Sequence, residues 1–450
     1  MERPIREMLD KAATRLSLHM PGGQGKPPFE EIEAYRLDTT ELAVTDDLYK
    51  PVGAIGRAQT LAAISAGVKD TLFLHGGSTA GMYAMLLYAA RRGDKVILPR
   101  NTHISALNVC GVAGIHVVFP KTDFLSSGRV VTQTDAYERA MEEHPDAKAV
   151  LVLRPDYYGL LPELLKIAQN AREKGMLVLC DEAHGATFNW RKDVQNAGAL
   201  GADLFVQSAH KTLPALTAGA WLHAGKGVDT ERLRRILRMV QTSSPSFLQM
   251  CALDDARAWM DIHGSEACEG LLAALQAFRR RAAQLGYGDG QKNPPEGFSY
   301  DPLRLVLSAP QGGYALETTL RSQGIDVELA DAESVVCILS LMDGKERLEK
   351  LLAVLRKIPA EGKRAAMPIL PALPMRVLSL SEAAFAPCEA VSMEEAVGRV
   401  SAAHVGLYPP GVALCAAGEV FSRELVGFFQ RTEGEAFGLP YAGHLLCVIM

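Results

Sequence analysis

A chain of 450 residues with 48% hydrophobic and 22% charged residues carries enough apolar material for two or three packed domains, and it is neither disordered nor fibrous. Its net charge of -5 supplies no basic face for nucleic acid, no apolar run reaches bilayer-spanning length, and the amino terminus lacks the apolar stretch of a secretion signal. The eight cysteines are scattered without a Cys-x-x-Cys pair, as expected for reduced thiols in a cytoplasmic protein with neither a disulfide framework nor a metal centre.

The first 50 residues hold a short polar helix and then His19-Met20-Pro21-Gly22-Gly23-Gln24-Gly25-Lys26-Pro27-Pro28, too rich in glycine and proline for regular structure. This reads as an extended arm. Its residues Asp38, Thr39, Thr40, Glu41, Asp46 and Asp47 belong either to a solvated tether or to a site for a cationic substrate. From residue 54 helix and strand alternate as in an α/β domain, with an alanine-rich helix over 56–66 and a strand over 70–75. Next, Gly76-Gly77-Ser78-Thr79-Ala80-Gly81 leads into a helix over 82–91. Small residues at such a turn let backbone N–H groups approach an anion at the helix N-terminus, where the dipole also favours negative charge. The segment lacks the lysine of a P-loop and the full glycine spacing of a dinucleotide fold, so alone it indicates either a phosphate cup or a tight turn.

Strand 95–99 ends at Arg100-Asn101-Thr102-His103, where the histidine either caps a helix or offers its ring to an aromatic cofactor. Further strands are expected at 117–120 and 149–153, the latter running into Arg154-Pro155-Asp156-Tyr157-Tyr158-Gly159. A helix over 161–174 precedes the apolar strand 176–180, which stops at Asp181-Glu182-Ala183-His184-Gly185. A carboxylate at the end of a buried strand is costly unless paired with a cation, and a protonated pyridine nitrogen is one. The run 203–207 then delivers Ser208-Ala209-His210-Lys211-Thr212-Leu213. A lysine at a strand's carboxyl end can form an imine with an aldehyde cofactor when its surroundings keep the amine neutral. Pyridoxal 5'-phosphate (PLP) requires an imine-forming lysine, a carboxylate for the ring nitrogen, a stacking face and a phosphate cup. Lys211, Asp181, His103 or His184, and Gly77-Ser78-Thr79 with Ser208 supply these four parts in a plausible order.

Beyond the lysine the pattern predicts a strand over 219–223, a basic amphipathic helix over 231–240, and a helix running through 257 that continues as helix over 264–285. Strands over 303–308 and 335–341 alternate with helices over 315–322 and 345–357, and a Pro-rich linker spans 367–375. In the tail, the stretch from Ser392 to Arg399 has the spacing of a capping box at a helix start, and Tyr408-Pro409-Pro410-Gly411 reads as a turn. The expected division is an arm over 1–50, a PLP-binding large domain over 51–290, a small α/β domain over 291–366 and a C-terminal domain over 367–450.

With these motifs the chain resembles the short bacterial form of the PLP-dependent ornithine/lysine/arginine decarboxylases, of the aspartate-aminotransferase superfamily. The likeness rests on His19-Met20-Pro21-Gly22, Asp46-Asp47-Leu48, Gly77-Ser78-Thr79, Arg100-Asn101-Thr102-His103, Tyr157-Tyr158-Gly159, Asp181 to Gly185, Ser208 to Leu213, Ser244-Pro245-Ser246, Ala396 to Arg399 and Tyr408 to Gly411. The resemblance implies a fold-type-I α/β architecture with a mostly parallel central sheet and a smaller α/β C-terminal part. It further implies that Lys211 bears the cofactor and passes a proton to the α-carbon, that Asp181 pairs with the ring nitrogen, that His103 stacks on the ring and that His184 lies near its phenolic oxygen. Gly77, Ser78, Thr79, Ser208 and His210 would hold the phosphate. The activity implied is decarboxylation of lysine, ornithine or arginine by a cytoplasmic homodimer or higher homo-oligomer, with no nucleic-acid or membrane partner. Another PLP reaction, of aminotransferase or aldolase type, and a non-catalytic relative are the alternatives. Four departures from the family pattern, at Gly23, Arg154-Pro155-Asp156, Thr187 and Ala218, leave the cofactor set intact and bear on the substrate. Arg154 either pairs with Asp156 or meets a substrate carboxylate, the second of which would favour transamination.

Overall fold

The computed structural model describes residues 2–13, 34, 37–42, 44–125, 128–342, 344–358, 360–362, 370–407, 411–432 and 436–449. The motif at 19–28 and the turn residues 408–410 therefore lie outside the described residues. The chain divides into two compact units, one of residues 1–88, 179–273 and 339–344, the other of residues 89–178, 274–338 and 345–450.

In the first unit Leu177–Asp181 ends beside Leu204–Gln207 as a parallel pair, with Asp181 opposite Val206. Ala220–Ala224 then pairs antiparallel with Leu204–Gln207, and Asp70–Leu74 antiparallel with Ala220–Ala224. These strands are buried almost throughout, which explains why they read as unbroken apolar runs rather than as alternating ones. The helix Gly77–Ala89 lies so close to this sheet that a side chain at Gly81 would begin 2.6 Å from Val206 Cγ2 and 2.7 Å from Leu74 Cδ1. Only glycine permits that approach.

In the second unit Lys95–Ile97 runs parallel with both His116–Val118 and Ala149–Leu153. The helices Ile104–Ala113, Thr134–Glu143 and Leu164–Glu173 belong to the same α/β pattern. A four-stranded antiparallel sheet orders Gly288–Asp289, Leu305–Ser308, Ser334–Cys337 and Leu329–Ala330. Toward the carboxyl end Cys388–Ser392 pairs with His444–Val448, and Val405–Leu407 lies between Val412–Cys415 and Ala436–Phe437. The helix Arg423–Arg431 buries Leu425, Val426, Phe428 and Phe429 in a cluster with Phe421, Leu414 and Leu445.

Two local expectations are corrected. The helix expected from 161 begins at Leu164, because Leu160–Pro162 forms a strand paired with Phe298–Tyr300. The helix expected through 257 and on over 264–285 is continuous, Phe247–Gln284; the glycine at 264 costs only about 1 kcal/mol in a helix interior and does not break it. The capping-box bonds at Ser392 and Glu395 do form, at 3.2 and 3.3 Å, yet turns come next and the chain reverses at Gly398, φ +83°. A complete box stands instead at Ser379 and Glu382, opening the helix Leu380–Phe385.

Candidate active site

Three segments leave the sheet of the first unit at one edge. Leu177–Asp181 and Leu204–Gln207 are parallel, and Asp70–Leu74, two antiparallel steps from the second of them, points the same way. Carboxyl ends of such strands are where α/β proteins place their chemistry. Asp181, Ser208 with the short helix Ala209–Thr212, and Gly77 at the head of its helix thus share this edge. Backbone bonds tie the turns together: Ser208 N–H donates to the Ala183 carbonyl at 3.2 Å, His210 N–H to Gly219 at 3.3 Å and Gly77 N–H to Ala218 at 3.0 Å.

Lys211 Nζ lies 3.1 Å from His184 Nε2. Lys211 is half-buried and His184 buried. An ammonium can only donate, so against a charged Lys211 the imidazole accepts through Nε2. Asp181 is 3% exposed, and its Oδ1 accepts the Ala183 N–H at 3.1 Å. One amide donor does not offset the burial of a carboxylate, which calls for a further cationic N–H partner of the pyridinium type. Ser208 Oγ is fully buried and has no hydrogen-bond partner among the described residues. A phosphate oxygen at that strand end would satisfy it. Ser78 is half-buried and Thr79 exposed, both in the first turn of the helix Gly77–Ala89. His210 is oriented by Nδ1, which donates to the Gly219 carbonyl at 3.0 Å. A buried hydroxyl without a partner, a helix N-terminus, a buried carboxylate and a lysine on neighbouring turns fit PLP.

His103 belongs to the second unit. It caps the helix Ile104–Ala113, Nδ1 accepting the Ser105 N–H at 3.2 Å, and the residue is exposed. The capping role is thus present, and it fixes the exposed ring.

Sequence reasoning assigned no role to Glu182 or Gln207, although each adjoins a residue it singled out. Glu182 is fully buried. Gln207 Nε2 donates to Glu182 Oε2 at 2.7 Å and to the Gly185 carbonyl at 3.3 Å. Its Oε1 accepts from Asn189 Nδ2 at 2.8 Å and from His223 Nε2 at 3.1 Å, and Thr71 Oγ1 lies 2.8 Å from His223 Nδ1. Burial pushes His223 down to about 3, so it is the neutral ring, stacked on Phe205, that completes this network. The only signal in the sequence was a polar residue on either side of each apolar strand end.

The acidic arm residue Asp46 has a structural duty. Its Oδ1 accepts N–H groups of Asp47 and Val52, and its Oδ2 those of Gly53, Ile55 and Gly56, at 2.8 to 3.4 Å. It thereby satisfies the orphan donors that open the helix Ala54–Ala66. Arg154 is 4% exposed. Asp156 accepts N–H groups of Tyr158 at 2.9 Å and Leu160 at 2.8 Å. Burial raises its carboxyl above the usual range, opposed by those amides and by the charges of Arg129 and Arg304.

Residues 30–292 match the family described as Orn/Lys/Arg decarboxylase, major domain, and residues 375–440 match its C-terminal domain. The chain is 33% identical to the uncharacterized protein YaaO of Bacillus subtilis, over 96% of this chain and 94% of that one. It is 31% identical to an arginine decarboxylase of Bacillus subtilis, over 98% of this chain and 95% of that one. The constitutive lysine decarboxylase of E. coli superposes with a TM-score of 0.88 at 17% identity, covering 100% of this chain and 82% of that one. That likeness shows the fold, which is the fold-type-I α/β architecture expected from the motifs. The chain belongs to the Orn/Lys/Arg decarboxylase family and is an amino acid decarboxylase.

Proposed function

We propose that this protein decarboxylates a basic amino acid with PLP, and that arginine, rather than lysine or ornithine, is the substrate to expect. The observation that carries the catalytic reading is the contact of Lys211 Nζ with His184 Nε2 at 3.1 Å, on the turns that end two neighbouring strands. The choice of arginine is supported by relatives named arginine decarboxylase in Bacillus subtilis and Bacillus anthracis, 31% and 30% identical over 98% and 95% of this chain.

Bound PLP supplies an electron sink for the pair left on the α-carbon when carbon dioxide departs. The chain's own residues do the rest. Lys211 would hold the cofactor through Nζ and would carry the proton that the α-carbon takes up. His184 Nε2 hydrogen-bonds that nitrogen and steadies its charge. Asp181 would accept the hydrogen bond of a protonated ring nitrogen and favour the proton there. Ser208 Oγ, Ser78, Thr79, Gly77 N–H and His210 would hold the phosphate at the helix N-terminus. The domain division proposed is that of 1–50, 51–290, 291–366 and 367–450, and the working form is a cytoplasmic homodimer or larger homo-oligomer.

The test is to incubate the purified, PLP-loaded protein with arginine, lysine, ornithine and neutral and acidic amino acids while measuring carbon dioxide and amine release. The expected result is the highest kcat/KM on arginine. Turnover confined to neutral or acidic amino acids, or transfer of the amino group without carbon dioxide, would overturn the reading.

A further inference from the structure

The motif Ser244-Pro245-Ser246 lies in the short connection between the helices Thr230–Val240 and Phe247–Gln284, and a glutamine on either side of it reaches back to a turn of the candidate site. Gln241 Oε1 accepts the N–H groups of His75 at 3.1 Å and Gly76 at 3.5 Å, the residues that separate the strand Asp70–Leu74 from the helix Gly77–Ala89. Gln249 Nε2 donates to the Thr217 carbonyl at 2.9 Å. Thr217 precedes Ala218, whose carbonyl takes the Gly77 N–H at 3.0 Å. Tyr49 Oη ties the connection down as well, donating to the Thr242 carbonyl at 2.5 Å with His75 Nε2 3.4 Å away. All of these residues belong to the first unit.

Gly76 opens the helix, its carbonyl accepting the Ala80 N–H at 3.4 Å. The N–H groups of a first helical turn have no acceptor within the helix, and they are the groups that would meet a phosphate. Beside them stand Ser78, Thr79 and Ser208 Oγ, which is buried and without a partner among the described residues. Two glycines in succession, the second at φ +68°, leave the backbone at the helix head conformationally free, so its direction depends on contacts from outside. Gln241 supplies two of them. Its own place is fixed by the end of the preceding helix, where its backbone N–H donates to the Leu237 carbonyl at 3.0 Å. A neutral amide oxygen shared by successive N–H groups sets their position without putting a negative charge beside an anion.

We propose that Gln241 is a positioning residue for the phosphate cup. Its side-chain oxygen holds the backbone of His75 and Gly76, and so aims the first turn of the helix Gly77–Ala89, while Gln249 holds the facing turn at Thr217. The connection that carries Ser244-Pro245-Ser246 thereby sets the affinity for the phosphate end of the cofactor. This rests on the reading of Gly77, Ser78, Thr79 and Ser208 as the residues that hold the PLP phosphate.

The test uses the full chain as wild type, Gln241→Leu, Gln249→Leu and Leu233→Ala. Leu233 is buried in the helix that ends at Gln241, so Leu233→Ala lowers stability without removing the bonds to His75 and Gly76. Three quantities are read: the dissociation constant of PLP, that of pyridoxal, which lacks the phosphate, and the phosphorus NMR signal of bound PLP. Wild type is expected to bind PLP at least about 100-fold more tightly than pyridoxal, the worth of two charge-assisted hydrogen bonds. Gln241→Leu is expected to weaken PLP binding by roughly 10-fold, to leave pyridoxal binding within about twofold and to move the phosphorus signal. Gln249→Leu acts in the same direction, while Leu233→Ala leaves the ratio of the two affinities and the signal in place. If Gln241→Leu does not fold, Gln249→Leu must show the loss of preference for PLP. A folded Gln241→Leu with the wild-type ratio and an unmoved signal overturns the proposal, as does an equal loss for both ligands. Wild type that binds PLP no more tightly than pyridoxal overturns the phosphate-cup reading instead, so the two failures are read from different proteins.

Discussion

Lys211 Nζ and His184 Nε2 form a 3.1 Å pair joining the turn after Leu204–Gln207 to the turn after its parallel neighbour Leu177–Asp181. Neither residue is close to the other in sequence, so the pair exists only because those strands are adjacent. Lys211→Ala is expected to abolish the visible absorbance of bound cofactor and to lower kcat by about 10⁴-fold or more, the upper range for a group acting in proton transfer. His184→Gln keeps a hydrogen-bonding side chain and should retain the absorbance while losing roughly 10²-fold in kcat. Retention of near wild-type turnover by Lys211→Ala would remove this pair from the mechanism.

The buried amide of Gln207 serves Glu182, Gly185, Asn189 and His223 at once. Gln207→Leu preserves volume but takes one hydrogen-bond partner each from the buried Glu182 carboxylate and the buried His223 imidazole, at a cost of about 1–3 kcal/mol. Urea unfolding should show a lower midpoint with an unchanged slope. A loss below about 1 kcal/mol would mean that these groups find other partners.

Stability should also fall in acid through two histidines. Burial pushes His223 down to about 3, and burial with the nearby charges of Arg100 and Arg376 pushes His404 down to about 4. Their folded values lie below the ordinary value of 6.5, so the unfolded chain binds more protons in between. Each therefore contributes stability that is present above pH 6.5 and is lost as pH falls from there toward 4 for His404 and 3 for His223. The slope is about 1.4 kcal/mol per pH unit for each. Unfolding free energies of wild type, His223→Gln and His404→Gln between pH 7 and 4.5 check this, the variants showing the shallower dependence.

What could be read without coordinates was chemistry that lies next to strand ends in sequence. Asp181, Ser208, Lys211 and Gly77 each close or succeed a buried apolar run, and strand runs announce themselves through continuous hydrophobicity. The contact between Lys211 and His184, and the network through Gln207, depend on which strands are neighbours, which no local pattern encodes. Likewise, Ser392 and Glu395 carry the spacing of a helix start and form its hydrogen bonds, but pairing of Cys388–Ser392 with His444–Val448 sets the path of the chain there. The bond between Arg100 and Glu419 spans 319 positions and left no trace in the local pattern at all.

Ala218 is a non-glycine residue at φ +67°, and its carbonyl receives the Gly77 N–H at the head of the phosphate-side helix. A left-handed conformation costs an L-residue about 1–2 kcal/mol, while glycine adds about 0.5–1 kcal/mol of unfolded-state entropy. Ala218→Gly is thus expected to stabilise by about 0.5 kcal/mol, and Ala218→Val to destabilise, since a β-branched residue tolerates this conformation least. Thermal unfolding of the PLP-free protein reads both, and a stabilising valine would contradict the account.

Asp46 decides whether the acidic arm binds substrate or builds a turn. Its two carboxylate oxygens accept the N–H groups of Asp47, Val52, Gly53, Ile55 and Gly56, which saturates the acceptor and leaves little for a guanidinium. Asp46→Ala should lower stability by about 1–2 kcal/mol, the cost of losing a helix cap. Assayed well below its melting temperature, the same variant should keep KM for arginine within about twofold, since a direct charge-assisted contact would be worth about 1.5–3 kcal/mol, or more than tenfold. A large rise in KM with normal stability would place Asp46 against the substrate and make its bonds to the helix start secondary.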